Sequence, residues 1–163
     1  MVDGWIEQVR RWAVSQPFVR RLAGELPNGT ITPGNVESRF MRLHAAGRFN
    51  EMWEMLAEDA QRAWGGRDIF AREMPRLDEW LEIVEMRVVS VKILPVWNDL
   101  VHSRTYVNVA QLVMRYHVRQ QWRDWAFDRE VHLVPEGAGG WRTLCYPMRI
   151  ARSAYSTGGA LSR

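Results

Sequence analysis

The first part of the chain repeats apolar side chains at helical spacing. Over residues 3–26 they recur about every 3.6 positions, which predicts an amphipathic helical segment with a break near Pro17. Residues 27–34 are rich in Pro, Gly, Asn and Thr, a composition typical of a loop. We therefore predict an N-terminal helical extension with its loop over 1–33, packed on the rest of the domain or on a second subunit.

The main unit, predicted over 34–150, begins with the same helical spacing. Residues typical of helix ends separate this stretch into several helices. Asn is common at the N-cap, and Gly is common just after the last helical residue. Three helices are predicted: from Asn35 to Gly47, over about 48–63, and from Asp68 to Pro75.

Long β-branched stretches replace the helical spacing after Glu82. Four strands are predicted, over 83–94, 105–118, about 120–134 and 141–146, with a turn at Trp97–Asp99 between the first two. Short polar turns between consecutive strands are typical of an antiparallel meander. The predicted fold class is α+β, with helices first, a curved antiparallel sheet after them, and a C-terminal tail over 151–163.

The second predicted strand is apolar on both of its faces. Because monomers rarely leave a large apolar face in water, we predict that the outer sheet face is covered, which favours a homo-oligomer. If the even-numbered face lines a pocket, Tyr106, Asn108 and Tyr116 are polar side chains in an apolar cavity, the usual composition of a small-molecule site. The alternative is that these groups bond only to neighbouring backbone or water.

Composition and charge exclude several kinds of function. A net charge of +3 is too small to indicate nucleic-acid binding, and no stretch of the chain is apolar for long enough to predict a membrane span. Cys145 is the sole cysteine, so neither an intrachain disulfide nor a zinc-ligand spacing is predicted. We expect a cytoplasmic protein without a metal or another cofactor, and a Schiff-base nucleophile would have to be Lys92, the sole lysine.

The order of elements over about 34–146 resembles the nuclear transport factor 2-like superfamily. The similar stretches are Ala46-Gly47-Arg48-Phe49, Leu56-Ala57-Glu58-Asp59-Ala60, Trp64-Gly65-Gly66 and the closing Gly140-Trp141-Arg142. This superfamily includes steroid isomerase-like, dehydratase-like and polyketide cyclase-like proteins. The resemblance implies a cone: a strongly bent sheet around helices, with a pocket at its open end.

The resemblance also locates positions at which catalytic side chains are expected. Where the steroid isomerase-like members have a Tyr and an Asp, this chain has Phe40 and Trp64, so that chemistry is not expected here. Dehydratase-like members pair His with Asp in the pocket. The candidate catalytic residues are Asp59, Asp128 and His102, with His117 and His132 as further candidate histidines, and the resemblance places Trp53 and Trp64 in the pocket wall, as core or as ligand contacts.

Three functions remain open from the residues alone. The first is a homodimeric pocket domain that binds a small apolar ligand with little or no catalysis, lined by Trp53, Trp64, Tyr106, Asn108 and Tyr116. The second is a dehydratase, hydrolase or cyclase-type enzyme that pairs a pocket carboxylate with His or Tyr. The third is an adaptor domain that docks a larger protein. A His within hydrogen-bonding distance of a carboxylate would favour the enzyme.

Overall fold

A computed structural model describes residues 31–77, 81–137 and 139–148 of the chain. These residues form an α+β unit in which helices precede four strands, as predicted, although there are four helices where three were predicted. The helices are α1 Pro33–Ala45, α2 Phe49–Trp53, α3 Glu58–Trp64 and α4 Arg67–Glu73, and the strands are β1 Leu81–Asp99, β2 Arg104–Gln120, β3 Arg123–Glu136 and β4 Gly140–Thr143. The predicted N-terminal helical segment and C-terminal tail lie outside the described residues.

Helix α1 begins three residues earlier than the sequence predicts. Thr32 is its N-cap, and the Thr32 hydroxyl accepts a hydrogen bond from the backbone N–H of Asn35. Pro33 fits the first helical turn because that position needs no intrahelical N–H donor. The prediction of Asn35 as the cap was therefore wrong: Thr32 and Pro33 together form the stronger helix start.

The single helix predicted over about 48–63 is two helices, α2 and α3. Between them the chain runs beside β4: the Ala57 N–H donates to the Thr143 carbonyl (2.9 Å), and the Thr143 N–H donates to the Met55 carbonyl (3.0 Å). Leu56 forms a parallel bridge with the same threonine. The interruption arises from a tertiary contact with the end of the sheet, which local periodicity does not encode.

The sheet is an antiparallel meander in the order β1-β2-β3-β4. Strand β1 extends further than predicted, and the turn expected at Trp97–Asp99 is wrong. Trp97 pairs with Tyr106, and Asp99 pairs with Arg104, so the β1–β2 turn lies at residues 100–103. The register of β1 against β2 shifts twice, near Val84 and near Val89, which are β-bulge positions that increase the local twist.

The core lies between the helices and the even-numbered face of β2. Ala110, Leu112, Met114, Tyr116 and Val118 are buried there, which confirms the predicted alternation over this part of the strand. Phe40, Met52 and Phe70 are among the helical side chains packed against them. On the opposite face, the odd-numbered residues from Gln111 to His117 are half-exposed, and this face is polar toward its end, where Arg115 and His117 lie.

Candidate functional site

Polar and aromatic side chains from five segments meet near the β1–β2 hairpin. We call this group the hairpin cluster: Asp59, Asp99, His102, Tyr106 and Tyr146. Asp59 lies in the first turn of α3, Asp99 ends β1, His102 is in the hairpin turn, Tyr106 is in β2, and Tyr146 follows β4. Five positions spread over 88 residues of sequence thus come together at one end of the sheet.

The carboxylate of Asp99 holds both the hairpin turn and the His102 ring. Its Oδ1 accepts hydrogen bonds from the backbone N–H groups of Val101 (3.0 Å) and His102 (3.2 Å). Its Oδ2 lies 2.7 Å from His102 Nδ1. Because a carboxylate only accepts, Nδ1 is the donor and the lone pair of a neutral imidazole lies on Nε2. This geometry prepares Nε2 to take up a proton.

Two tyrosines form a second hydrogen-bonded group around Asp59. The Tyr106 hydroxyl donates to Asp59 Oδ2 (3.2 Å) and contacts the Tyr146 hydroxyl. Arg104 Nη1 lies 3.2 Å from the same carboxylate oxygen, and Arg62 Nη2 donates to Oδ1 (2.8 Å). Burial raises the pKa of both Tyr106 and Tyr146, so both phenols keep their protons at neutral pH and act as hydrogen-bond donors.

A ring stack joins the two halves of the hairpin cluster. The imidazole of His102 lies parallel to the Tyr146 ring, with the ring centroids 3.9 Å apart and an interplanar angle of 18°. Asp99 is buried and His102 is largely so. A base nitrogen and a phenolic donor are therefore held side by side, at a site where both rings still reach solvent.

A second aromatic stack lies next to the cluster. Trp97 is parallel to His132, with the ring centroids 3.9 Å apart, and it stacks at 5.9 Å on Tyr106. Burial lowers the pKa of His132, so its imidazole is neutral near pH 7. Among the described residues, His132 Nε2 is buried without a hydrogen-bond partner, although a Glu130 carboxylate oxygen lies 3.6 Å away. A polar ligand atom could satisfy this nitrogen.

Asp128, the third catalytic candidate from the sequence, lies elsewhere. It forms a bidentate ion pair with Arg115, with Nε–Oδ1 and Nη2–Oδ2 distances of 2.6 Å and 2.7 Å. The two residues are cross-strand partners on the sheet face opposite the core. Asp59 and His102 therefore share one cluster, whereas Asp128 is part of an outer-face ion pair.

The two tryptophans proposed for the pocket wall pack in the core. Phe70 contacts both rings: Trp64 edge-on at 5.1 Å and Trp53 tilted at 5.8 Å. Trp64 is buried, and its indole N–H donates to the Cys145 carbonyl (2.8 Å). Burial raises the pKa of the Cys145 thiol to about 11, which makes it a poor nucleophile at neutral pH.

The three polar side chains predicted on one face of β2 have different surroundings. Tyr106 belongs to the hairpin cluster, whereas Asn108 is exposed with a positive φ of 54°. The buried Tyr116 donates to Glu37 Oε1 (3.0 Å) on α1. At about 3.3 Å per residue, Tyr116 lies roughly 33 Å along the strand from Tyr106. One small ligand therefore cannot contact both hydroxyls.

The buried carboxyl group of Glu37 makes the stability of the protein depend on pH. It is almost fully buried, and burial raises the pKa of its carboxyl above the ordinary 4.5, against the opposing effect of Arg129 3.7 Å away. The folded state thus binds the proton more tightly than the unfolded chain, and this group's contribution to stability falls as pH rises through 4.5 and above. We expect Glu37→Gln, which keeps an acceptor for Tyr116, to gain stability over the wild type as pH rises.

Urea unfolding of Glu37→Gln and wild type between pH 4 and pH 8 measures this difference. Subtracting the two curves removes the opposite pH dependence of His44, whose pKa burial lowers. Glu51→Gln, a change at the surface of α2, is the control for the loss of one carboxylate. A stability gap between Glu37→Gln and wild type that shrinks with rising pH would contradict the expectation.

Sequence reasoning found Asp59, His102 and Tyr106 but missed Asp99 and Tyr146. Asp99 had a readable signal, because an Asp three residues before a His in a turn can cap the turn and hold the ring. Tyr146 had none, since its position depends on how the segment after β4 returns to α3. The described residues contain no group of three or more His, Cys, Asp or Glu side chains placed to hold a metal ion.

Comparison with known proteins finds no match for this chain: no protein-family model matches it, and no curated protein does. No helix among the described residues is both long and apolar enough to cross a membrane.

Proposed function

We propose that the hairpin cluster is the acid–base site of a dehydratase-type enzyme. Its substrate is a small organic molecule with a hydroxyl group two carbons from a carbonyl. The observation that carries the proposal is the Asp99–His102 hydrogen bond of 2.7 Å beside the stacked Tyr146 ring. A positioned base next to phenolic donors is what removal of a proton beside a carbonyl requires.

In this mechanism each group has one role. His102 Nε2 takes the proton from the carbon next to the carbonyl, and the electrons of that C–H bond form an enolate. The Tyr146 hydroxyl gives up its contact with Tyr106 and donates a hydrogen bond to the enolate oxygen without losing its proton, while Tyr106 keeps its hydrogen bond to Asp59. As the enolate collapses, the C–O bond of the β-hydroxyl breaks, and the protonated His102 returns its proton so that water leaves. Asp99 is the positioning residue, since it holds the Nδ1–H.

The fold supports this proposal through its order of elements. Helices followed by an antiparallel meander suit the cone of the nuclear transport factor 2-like superfamily, which we propose for this chain. Dehydratase-like members pair His with Asp in the pocket, and here His102 and Asp99 stand in such a pair. In the cytoplasm, where we place the protein, such a site would act on a small metabolite.

For its assembly we propose a homodimer through the outer sheet face. A groove of about 410 Å³ lies on this face, and its walls include Glu85, Arg87, Arg115 and Asp124. Both signs of charge are thus present on one patch. A two-fold axis places the same patch on both partners, so acids of one copy can meet bases of the other.

A second candidate function is binding without catalysis. The observation that favours it is the Trp97–His132 stack, an aromatic surface with one unpartnered polar nitrogen at His132 Nε2 among the described residues. Apolar walls with a few polar atoms are the usual composition of a small-molecule site. In that case a ligand binds at the stack and leaves unchanged.

An experiment in D2O separates these two functions. Purified protein is incubated with a panel of small β-hydroxy ketones, and proton NMR records both deuterium exchange at the carbon beside the carbonyl and formation of the unsaturated ketone. We expect both signals with the wild type and neither with His102→Gln. The matched control is His117→Gln, a half-exposed histidine on the outer face, which should keep both signals.

Each outcome decides between the candidates. Exchange without water loss keeps His102 as the base but removes dehydration from the proposal. Saturable binding of a panel member, with neither exchange nor product, favours the binding domain. Equal signals in His102→Gln and wild type would show that this cluster is not the acid–base site.

A further inference from the structure

Strand β1 carries an exposed apolar strip on the face that should be buried. The strip consists of Val88, Val91 and Ile93, whose exposed fractions are 41%, 44% and 50%. Directly opposite residues of an antiparallel pair share one face of the sheet. The partners of the strip are fully buried core residues of β2: Met114, Leu112 and Ala110. The strip is therefore an uncovered continuation of the core face.

Helix α1 covers only one end of this strip. The backbone of Gly34 lies against β1 so closely that a Cβ built at this position would be 2.5 Å from Val88 Cγ2. Among the described helices, α1 is the one that packs extensively on β1. Beyond Val88 the strip runs toward the hairpin with Val91 and Ile93 open to solvent. Contiguous apolar side chains on a core face need a partner.

The described part of the chain begins next to the strip. Ile31 and Thr32 lead into Pro33 and Gly34, and the backbone of Gly34 lies against Val88, so this is the point at which the preceding 30 residues join the fold. Five residues before Ile31, Leu26 ends the apolar stripe of the predicted helical segment. A helix rises about 1.5 Å per residue, so a helix of nine residues covers about 14 Å of the roughly 17 Å between Val88 and Ile93 along the strand.

We propose that residues 18–26 form a helix that lies along this strip and completes the core of the same chain. Phe18, Val19, Leu22 and Leu26 supply an apolar face at helical spacing, and Arg20 and Arg21 lie on the opposite face. The occupant is the N-terminal segment of the chain itself, because its stripe ends within a few residues of the strip. A second copy of the chain is the alternative occupant.

Photo-crosslinking of the full chain tests the proposal. Benzoylphenylalanine replaces Ile93, and after irradiation the crosslinked tryptic peptides are identified by mass spectrometry. We expect crosslinks within one chain to the tryptic peptides 12–20 and 22–39, with fragment ions that place the crosslink within residues 18–26. Benzoylphenylalanine at Val107, an exposed position on the opposite face of the sheet, is the control and should not reach those peptides.

A pair of charge variants in the segment gives a second readout. In the Ile93 crosslinking background, Leu22→Glu should weaken docking about tenfold or more, because burial of a leucine is worth about 1.5–3 kcal/mol. The intrachain crosslink would then be lost. The neighbouring change Arg21→Glu alters more charge but not the apolar face, and it should keep the crosslink.

The outcomes are distinct from one another. Crosslinks between two chains, seen as a dimer band, would assign the strip to a second copy and overturn the proposal. The absence of any crosslink from position 93 would show that the strip is uncovered, which also overturns it. Equal loss of the crosslink in Leu22→Glu and Arg21→Glu would mean that the apolar face does not carry the contact.

Discussion

Asp99→Asn is expected to lower the rate of the proposed proton transfer by about 10²–10⁴-fold. The substitution keeps the shape of the side chain and leaves Oδ1 to accept from the N–H groups of Val101 and His102. The hairpin turn should therefore persist. At Oδ2, however, an amide NH2 takes the place of an acceptor 2.7 Å from His102 Nδ1.

The physical cause of this loss is the wrong tautomer of His102. An amide donor at Nδ1 favours the form with its proton on Nε2, and that nitrogen can then no longer accept a proton from the substrate. The effect should appear mainly in kcat, since Asp99 positions the base and does not contact the substrate. Steady-state rates with the active β-hydroxy ketone measure it.

A substrate-free readout separates this role from a merely structural one. Nitrogen-15 NMR of labelled His102 should show the Nδ1–H tautomer in the wild type and the Nε2–H tautomer in Asp99→Asn. Asp128→Asn is the matched control, because its carboxylate pairs with Arg115 on the outer face. If Asp99→Asn switches the tautomer and keeps the full rate, His102 is not the base.

The fold class was predictable from the sequence because two periods dominate the chain. Apolar side chains have helical spacing before residue 75, and β-branched stretches follow Glu82. These patterns predict helices followed by an antiparallel meander, which is the order that the structure has. The element limits were harder to predict. The break between α2 and α3 results from backbone hydrogen bonds to Thr143, which lies more than 80 residues further along the chain. Local pattern carries no information about such a contact.

The candidate site was only partly predictable, for a related reason. Asp59, His102 and Tyr106 have side chains suited to acid–base chemistry, and their residue types alone made them candidates. Their meeting point depends on where the segment after β4 brings Tyr146, which contacts both Tyr106 and His102. The sequence analysis placed the even-numbered side chains of β2, from Tyr106 to Tyr116, in a single pocket. Its length instead separates Tyr116 from Tyr106 and places the two hydroxyls in different networks.

Phe70→Ala is expected to lower the free energy of unfolding by about 3–5 kcal/mol. Phe70 is fully buried on α4, between the rings of Trp53 and Trp64. The change removes the apolar contact and leaves a cavity that two rigid indoles cannot readily fill. Each lost aromatic pair adds about 0.5–1.5 kcal/mol beyond the area term. Urea unfolding followed by tryptophan fluorescence measures the loss.

Comparison with Ile69→Ala tests whether Trp53, Trp64 and Phe70 form part of the hydrophobic core or the wall of a ligand pocket. Ile69 is the half-buried neighbour on the same helix and should lose clearly less stability than Phe70. If Trp53 and Trp64 serve the core, Phe70→Ala destabilises the protein while molecules that remain folded keep their rate with the β-hydroxy ketone. A loss of less than about 1 kcal/mol, together with impaired ligand binding, would instead favour the two indoles as the pocket wall. The packing supports the first outcome, because Trp64 is buried and already donates its indole N–H to Cys145.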